Sequence, residues 1–305
     1  MLTIGITGGT GFVGQHLTAL LVAKGYNVVI FTRSAARKTD KQVTYAHWDV
    51  DRKTCDINLL KELDAVVNLA GAAIADKRLT DARKKEIIDS RVNSTAFLLE
   101  KLKEYSPNCK TFVAASATGF YGPDRDGLVP FTETAEPYND FLGETCRLWE
   151  DATQKAKERF RTVIIRIGIV LGKDGGAYPK LSGPMAFGIM PVLGSGRQVV
   201  SWIAIDDLAR LFLHAIEHKG MAGIYNAVAP APVTHLRLMR TIVKVKGGFR
   251  IPAPAPAFML RMLLGEMANE VLKSCTVSAQ KTIESGFAFD YPEIAGAIKT
   301  LNPSR

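Results

Sequence analysis

The sequence predicts an α/β fold in which helices cover both faces of a doubly wound, mostly parallel sheet, with a smaller C-terminal domain beside it. Three features carry this prediction. A glycine-rich turn separates an apolar strand from an amphipathic helix between Leu2 and Gly25, apolar runs then alternate with helical patterns as far as Ile167, and the alternation loosens after Gly168. Sheets of this kind bind ligands in the crevice at the carboxyl ends of their strands.

The first unit is predicted to be a strand, a tight turn and a helix. Residues 2–6 form a short apolar run, and apolar side chains recur at helical spacing from Phe12 until Gly25 ends the helix. The next strand is predicted at Asn27 to Thr32. Two strands joined by a helix within about thirty residues form the unit that binds dinucleotides in many α/β proteins.

The turn itself has a G-x-x-G-x-x-G spacing at Gly8, Gly11 and Gly14. The first glycine permits a sharp turn, the second lets backbone N–H groups approach a pyrophosphate, and the third lets the helix pack closely on the strand. Because the turn follows a strand and opens a helix, it indicates dinucleotide binding, with phosphate at the positive end of the helix. An ordinary flexible turn is the alternative.

The remaining elements follow the same alternation. Further strands are predicted at 43–46, 65–70, 111–115, 162–167 and 223–227, and helices at 84–104, 142–160, around 177–187 and 206–218. Asp206 or Asp207 is expected to cap the last of these helices. Residues 116–140 are predicted to be a functional loop. We therefore predict a Rossmann-like, dinucleotide-binding domain at 1–170, to which 203–228 returns, and a smaller substrate or lid domain at 171–202 and 229–305.

Composition limits the function classes. The chain has 305 residues, of which 47% are hydrophobic and 23% charged, and it contains neither a leader-like segment nor an apolar run of about 20 residues, so we expect a soluble cytoplasmic protein without a membrane partner. Its four cysteines lack metal or disulfide spacing and are expected to be reduced thiols. The net charge of +9 is spread over short groups without a basic, aromatic stripe, so we expect no nucleic-acid partner.

The end of the second strand indicates the choice of cofactor. NAD-binding proteins place a carboxylate there for the ribose 2′-OH, whereas this chain has Thr32, Arg33 and Ser34. A guanidinium binds a 2′-phosphate through paired hydrogen bonds, and no carboxylate repels it. The sequence therefore predicts NADP, with a solvated surface arginine as the alternative role of Arg33.

Ten motifs together resemble a known family. Four resemble those of extended short-chain dehydrogenase/reductases: TGGTGFVG at 7–14, NLAG at 68–71, SATGFYG at 116–122 and RIGIVLG at 166–172. Six more resemble the atypical branch called the epimerase family, of the SDR39U type: WED at 149–151, GKDGGA at 172–177, GSGRQ at 194–198, SWIAIDDLA at 201–209, YNAVAP at 225–230 and ESGFAFDYPEI at 284–294. The resemblance spans essentially the whole chain. It implies NADP binding and a sugar-nucleotide-epimerase-like fold.

The glycine turn, Arg33 and the resemblance together give a predicted cofactor site. Asp49 and Val50 resemble the pair beside the adenine, Leu69 and Ala70 the backbone under the cofactor, and Ile169 the position beside the nicotinamide. The predicted cofactor residues are Gly8, Thr10, Gly11, Phe12, Val13, Gly14, Thr32, Arg33, Asp49, Val50, Leu69, Ala70, Gly71, Glu86, Arg91 and Ile169. For Glu86 and Arg91 the alternative is a pair of charges on a solvated helix face.

The catalytic pair of the resembled family is missing. Such enzymes use a Tyr whose pKa is lowered by a Lys one helical turn later, and a Ser that orients the substrate oxygen. Ser116 fits the serine, but Phe141 and Thr145 stand where Tyr and Lys are expected. Tyr121 is the predicted substitute in the catalytic site, with Thr118, Tyr138 and Glu144 as other candidates.

No metal site is predicted, because His214 and His218 have helical i, i+4 spacing but no evident third ligand. The sequence thus favours an NADP(H)-dependent oxidoreductase or epimerase-like enzyme acting on a small polar molecule. The rival hypothesis, which the missing Tyr and Lys favour, is a non-catalytic NADP(H)-binding sensor or regulatory protein.

Overall fold

The glycine turn ends the central strand of an eight-stranded sheet, in a computed structural model that describes residues 1–34, 41–74, 76–125 and 129–302. The strands, in chain order, are β1 (Thr3–Thr7), β2 (Asn27–Thr32), β3 (Val43–Asp49), β4 (Thr54–Cys55), β5 (Ala65–Asn68), β6 (Thr111–Ala117), β7 (Arg161–Ile167), β8 (Ile169–Gly172), β9 (Gly175–Gly176), β10 (Ile189–Leu193), β11 (Val199–Val200), β12 (Trp202–Ala204), β13 (Gly223–Ala227), β14 (Val233–Thr234) and β15 (Ile251–Ala255).

Helices cover both faces of that sheet and build the smaller second half. They are α1 (Phe12–Ala23), α2 (Ile57–Lys61), α3 (Asp81–Tyr105), α4 (Phe141–Gln154), α5 (Tyr178–Ser182), α6 (Ile205–Glu217), α7 (His235–Lys246), α8 (Ala257–Leu264), α9 (Met267–Leu272), α10 (Gln280–Glu284) and α11 (Ile294–Leu301). Short 3-10 turns lie at Thr118–Phe120, Lys155–Glu158 and Gly183–Phe187. No helix in the described part of the chain is long and apolar enough to cross a membrane.

The large sheet has the order β13-β7-β6-β5-β1-β2-β3-β4 and is parallel except for the β3–β4 pair. Its central strands are apolar because both faces are covered: Ile4 and Ile6 of β1 and Val66 and Val67 of β5 have no exposed surface. The chain winds outward from β1 in one direction and from β5 in the other. This reversal between β1 and β5 opens a crevice at their carboxyl ends, where the glycine turn lies.

The predicted α/β class and doubly wound sheet are confirmed, and β2 and β13 have the predicted bounds. Several details differ. The strand predicted at 43–46 continues to Asp49, the strand predicted at 65–70 ends at Asn68, and the helix predicted at 142–160 ends at Gln154. Neither Asp206 nor Asp207 is a helix cap, because α6 begins after Ala204 without a side-chain cap. Asp207 is instead fully buried and accepts hydrogen bonds from the N–H groups of Asp290 and Tyr291 at 2.9 Å, so it fastens the C-terminal segment to the fold.

The second half of the chain forms small sheets and a separate apolar core. β8 pairs with β9 and β12, β10 with β15, and β11 with β14, whereas β13 joins the edge of the large sheet beside β7. Trp202, Met239 and Ile298 are among the fully buried side chains of the second core. The domain boundaries given above stay a prediction.

His235 gives a pH test of this second core. Its side chain is 4% exposed, and neither ring nitrogen has a hydrogen-bond partner among the described residues, so burial lowers its pKa from 6.5 to about 4. The unfolded chain therefore binds a proton that the folded chain does not, and stability falls as pH drops below about 6.5. Between pH 7 and pH 5 the free energy of unfolding should fall by about 2 kcal/mol more in the wild type than in His235→Leu. Chemical denaturation at the two pH values measures this, and equal losses would contradict it.

Candidate functional site

The glycine turn is tightly built at its two ends. Gly8 has φ +68°, and a Cβ placed on it would lie 2.8 Å from the carbonyl of Leu69, so the turn touches the chain that leaves β5. A Cβ on Gly14 would lie 2.5 Å from the carbonyl oxygen of Gly8 and from the Cα of Gly9. Both positions therefore need glycine for the fold itself.

Gly11, between them, has no such structural need. It is exposed, its φ of −79° suits any residue, and a Cβ there would meet only the Gly8 carbonyl oxygen, at 3.2 Å. It precedes α1, whose first turn has neither a capping side chain nor an acidic residue. Gly11 leaves room beside the positive end of the helix, and a pyrophosphate fits that position. Any other residue at position 11 would place at least a methyl group in the path of the pyrophosphate.

Phe12 is held by glycines from the other half of the chain. Cβ atoms on Gly172, Gly175 and Gly176 would lie 2.4, 2.5 and 3.2 Å from its ring. The glycines of the GKDGGA motif therefore make room for this ring. Phe12 contributes packing at the predicted cofactor site, and it couples the start of α1 to the β8–β9 hairpin.

The loop after β5 is fastened by α3. Ser90 Oγ accepts the Ala72 N–H at 2.9 Å, Arg83 donates to the Ala73 carbonyl, and Arg91 Nη1 donates to the Ala72 carbonyl at 3.1 Å. Gly71 lies against the Arg91 guanidinium, since a Cβ on it would be 3.1 Å from Cζ.

The alternative prediction, that Glu86 and Arg91 are both charges on a solvated helix face, holds for Glu86 only. Glu86 is exposed and pairs with Arg83 at 2.7 Å, whereas Arg91 is 8% exposed and stacks on the Trp149 ring at 5.0 Å from its centre. Within the described residues Arg91 has no carboxylate partner, and burial lowers its pKa. A buried guanidinium without a counter-charge, beside the crevice, is suited to an anion.

The ends of β2 and β3 lie on the other side of the crevice. Arg33 is exposed directly after β2 and forms no ion pair within the described ranges, while Arg37 and Lys38 lie outside those ranges. Asp49 accepts the N–H groups of Asp51 and Arg52 at 3.0 Å, and this lowers its pKa. Asp49 thus shapes the turn at Val50.

Ser116 lies at the end of β6, as predicted, but its hydroxyl is engaged. It is 2% exposed and donates to Glu150 Oε1 at 2.6 Å, and the same carboxylate receives two hydrogen bonds of 2.8 Å from Arg166. A hydroxyl that donates to Glu150 cannot at the same time donate to a substrate oxygen. The predicted catalytic role of Ser116 therefore does not enter the function proposed below.

Tyr121 belongs to the same buried network. It has no exposed surface, donates to Asn226 Oδ1 at 2.7 Å and accepts from Arg166 Nη1 at 2.9 Å. Burial raises its pKa to about 12. Both the enclosure and the high pKa oppose proton transfer with a substrate, so the prediction that Tyr121 is catalytic has no support in this geometry.

The other predicted substitutes are differently placed. Tyr138 is 43% exposed, and Glu144 is exposed and pairs with Arg147 at 2.6 Å, which lowers its pKa. Thr118 is half-buried, and its hydroxyl donates a long bond of 3.4 Å to the Ile167 carbonyl. Ile169 is 44% exposed at the start of β8, which leaves its side chain free to contact a ligand.

The positions of the missing pair face different surroundings. Phe141 is half-buried beneath Lys84, whose Nζ lies 5.4 Å from the ring centre and pairs with Glu266 at 2.7 Å. Thr145 is 2% exposed and bonds to the Phe141 carbonyl at 2.6 Å. A lysine at position 145 would therefore bury its ammonium group.

The sequence did not single out three residues of the buried network, which are Glu150, Arg166 and Asn226. A signal for one was present: Arg166 is the only charge inside the apolar run 162–167. His214 and His218 stack at 4.9 Å, and the described residues contain no group of three or more metal-ligating side chains.

Comparison with known proteins places this geometry in a family. The NAD dependent epimerase/dehydratase family matches residues 4–227, and a domain of unknown function, DUF1731, matches residues 255–301. The chain is 36% identical to the epimerase family protein YfhF of Bacillus subtilis over 306 residues, covering 100% of this chain and 99% of that protein. It is 33% identical to the chloroplastic SDR39U1 homolog of Arabidopsis thaliana over 311 residues, covering 98% and 86%.

Two solved structures show the extent of the likeness. The human epimerase family protein SDR39U1 (isoform 2), solved with NADPH, has a TM-score of 0.84 and 28% identity, covering 98% of this chain and 99% of that one. UDP-glucose 4-epimerase from Thermotoga maritima, solved with UDP-glucose, has a TM-score of 0.78 at 20% identity, covering 98% and 97%, and shares the fold. The family match over most of the chain and the relatives above 30% identity show that this chain belongs to the NAD dependent epimerase/dehydratase family.

Proposed function

We propose that this protein binds NADP(H) and uses it as an oxidoreductase or epimerase-like enzyme on a small polar substrate. The observation that carries the proposal is the open, exposed Gly11 at the uncapped N-terminus of α1, at the point where the sheet order reverses. The NADPH in the structure of human SDR39U1 supports the choice of cofactor.

Different residues of this chain would bind different parts of NADP(H). The first-turn N–H groups of α1 hold the pyrophosphate, and Arg33 pairs with the 2′-phosphate through a guanidinium that forms no ion pair with a described residue. Ile169 offers an apolar contact that excludes water. When bound, NADP(H) supplies the hydride donor or acceptor. Thr118, rather than the engaged Ser116, is placed to orient a substrate oxygen, because its own hydrogen bond is long.

A second function is favoured by a specific observation. Ser116 serves the fold, and Phe141 and Thr145 cannot exchange protons as Tyr and Lys do. A protein that binds NADP(H) without turnover, as a sensor or regulator, would show these changes. Turnover separates the two functions.

The first prediction tests the phosphate site. Gly11→Ala should fold normally, because its φ suits alanine and its one close contact, 3.2 Å to the Gly8 carbonyl oxygen, needs a shift of only a few tenths of an ångström. It should nevertheless weaken NADPH binding at least tenfold, about 1.4 kcal/mol. Gly183→Ala, where a Cβ meets nothing within 4 Å, is the matched control and should change neither property. Isothermal calorimetry with thermal unfolding measures both. Unchanged affinity in Gly11→Ala would mean that the phosphates bind elsewhere.

The second prediction concerns the 2′-phosphate. Arg33→Asp removes a charge-assisted pair and adds repulsion, so the preference should reverse from NADPH to NADH in fluorescence titrations. Lys157→Asp makes the same charge change at an exposed turn after α4 and should leave the preference intact. If Arg33→Asp still prefers NADPH, the role passes to Arg37 or Lys38.

The third prediction addresses turnover. The wild type should oxidise NADPH with at least one compound in a screen of small carbonyl compounds, and Gly11→Ala should lose that activity. Phe141→Tyr with Thr145→Lys should lower stability and activity, because residue 145 is enclosed and would bury an unpaired ammonium. NADPH binding without turnover would establish the sensor instead. Activity confined to the double variant would show that catalysis had merely been lost with the tyrosine.

A further inference from the structure

The net charge of the protein is concentrated in two segments. Residues 175–205 and 218–265 contain nine of the 39 Lys and Arg and none of the 30 Asp and Glu, so the rest of the chain has thirty of each sign. The nine are Lys180, Arg197, Lys219, Arg237, Arg240, Lys244, Lys246, Arg250 and Arg261. Both segments belong largely to the smaller half of the protein: residues 171–202 and 229–305 have 13 Lys and Arg and six Asp and Glu, so they carry seven of the nine excess positive charges.

These cations are not used to hold the fold. All but Arg250 are exposed, and none of the nine forms an ion pair with another described residue. Arg237, Arg240 and Lys244 lie along one side of α7, where they line a shallow groove. We call these three residues the basic face of α7. Lys244 and Lys246 also suit the negative end of that helix, and Lys180 and Arg261 suit the ends of α5 and α8, whereas Arg237 and Arg240 lie in the first half of α7 and have no such role.

An apolar surface follows α7 along the chain, and β10, one of its two strands, contacts α7. After α7 the chain passes through Gly247 and Gly248 to Phe249, which is 84% exposed, and to Ile251, which is 62% exposed. Ile251 pairs in β15 with Ile189 of β10, and Phe187, two residues before Ile189, is also 84% exposed. We call Phe187, Ile189, Phe249 and Ile251 the apolar tip. Two neighbouring strands thus begin with large apolar side chains in water.

Exposed apolar groups beside unpaired cations are suited to the surface of an anionic membrane. Aromatic and aliphatic side chains enter the boundary between headgroups and acyl chains, and each nearby Lys or Arg adds attraction to anionic lipids. A second copy of the chain fits poorly, because two like-charged faces would meet. Single-stranded nucleic acid also fits poorly, since Ile189 and Ile251 cannot stack on bases as aromatic rings do.

We propose that the apolar tip and the basic face of α7 form a docking surface for membranes that contain anionic lipids. The sequence predicted no membrane partner because it has no apolar run of about 20 residues, and no nucleic-acid partner because its basic residues occur in short groups. Their restriction to acid-free segments is visible in the sequence once acidic residues are counted as well. The proposal is independent of NADP(H) binding.

Vesicle flotation with the full-length protein tests it. The wild type should bind vesicles of phosphatidylcholine with phosphatidylglycerol and not vesicles of phosphatidylcholine alone, and high salt should release it. Phe187→Ser with Phe249→Ser should weaken binding at least tenfold, and so should Arg240→Ser with Lys244→Ser, since each charge near the surface contributes roughly a factor of five.

Matched control variants test whether vesicle binding depends on this site rather than on exposed apolar residues or positive charge elsewhere. Val129→Ser removes another strongly exposed apolar residue, and Lys155→Ser with Lys157→Ser removes two exposed cations from the charge-balanced part; both should bind as the wild type does. All variants should keep the wild-type unfolding temperature and NADPH affinity.

The proposal is overturned if no vesicle is bound, if neutral vesicles are bound equally well, or if the control variants lose as much vesicle binding as the test variants. Binding to a single-stranded oligonucleotide in place of vesicles, or dimers that the phenylalanine changes abolish, would overturn it in favour of those partners.

Discussion

The ion pair between Arg166 and Glu150 is the interaction on which this end of the sheet depends. Both side chains are more than nine-tenths buried, and charges removed from water in this way are tolerated only when their hydrogen bonds are complete. Arg166 meets that condition with two bonds to Glu150, one to Tyr121 and one to the Glu133 carbonyl, and its guanidinium lies 3.5 Å from the centre of the Phe120 ring. Losing one partner of such a pair typically costs about 3–5 kcal/mol.

The network also connects distant parts of the chain. Glu150 lies on α4, Arg166 on β7 and Ser116 on β6. Tyr121 extends the network, because its hydroxyl donates to Asn226 of β13. Asn226 in turn donates to the Ser278 carbonyl, and its own carbonyl accepts the hydroxyl of Thr282. The C-terminal segment is therefore fastened to the same strand ends at which the resembled enzymes place their serine.

Local chemistry explains what could be predicted from the sequence. Apolar runs and glycine placement fix β1, the turn and α1, because strand burial and turn geometry depend on residues close together in the chain. Partners distant in sequence could not be found in this way. Asp207 was predicted as a possible helix cap but binds Asp290 and Tyr291, and the glycines at 172–176, which the sequence shows only as part of a family motif, accommodate the ring of Phe12. Ser116 and Tyr121 were predicted to be catalytic, but the sequence could not show that Glu150 and Arg166 join them in one buried network.

Two features lie at one edge of the sheet: an exposed glycine turn, which we propose binds a pyrophosphate, and a closed polar network that stabilises the fold. A crystal structure of the protein with NADPH tests this distinction most directly. Our account predicts the pyrophosphate within hydrogen-bond distance of the N–H groups that follow Gly11, with Ser116 still donating to Glu150. A pyrophosphate bound elsewhere, or a Ser116 hydroxyl turned away from Glu150 toward the bound ligand, would contradict it.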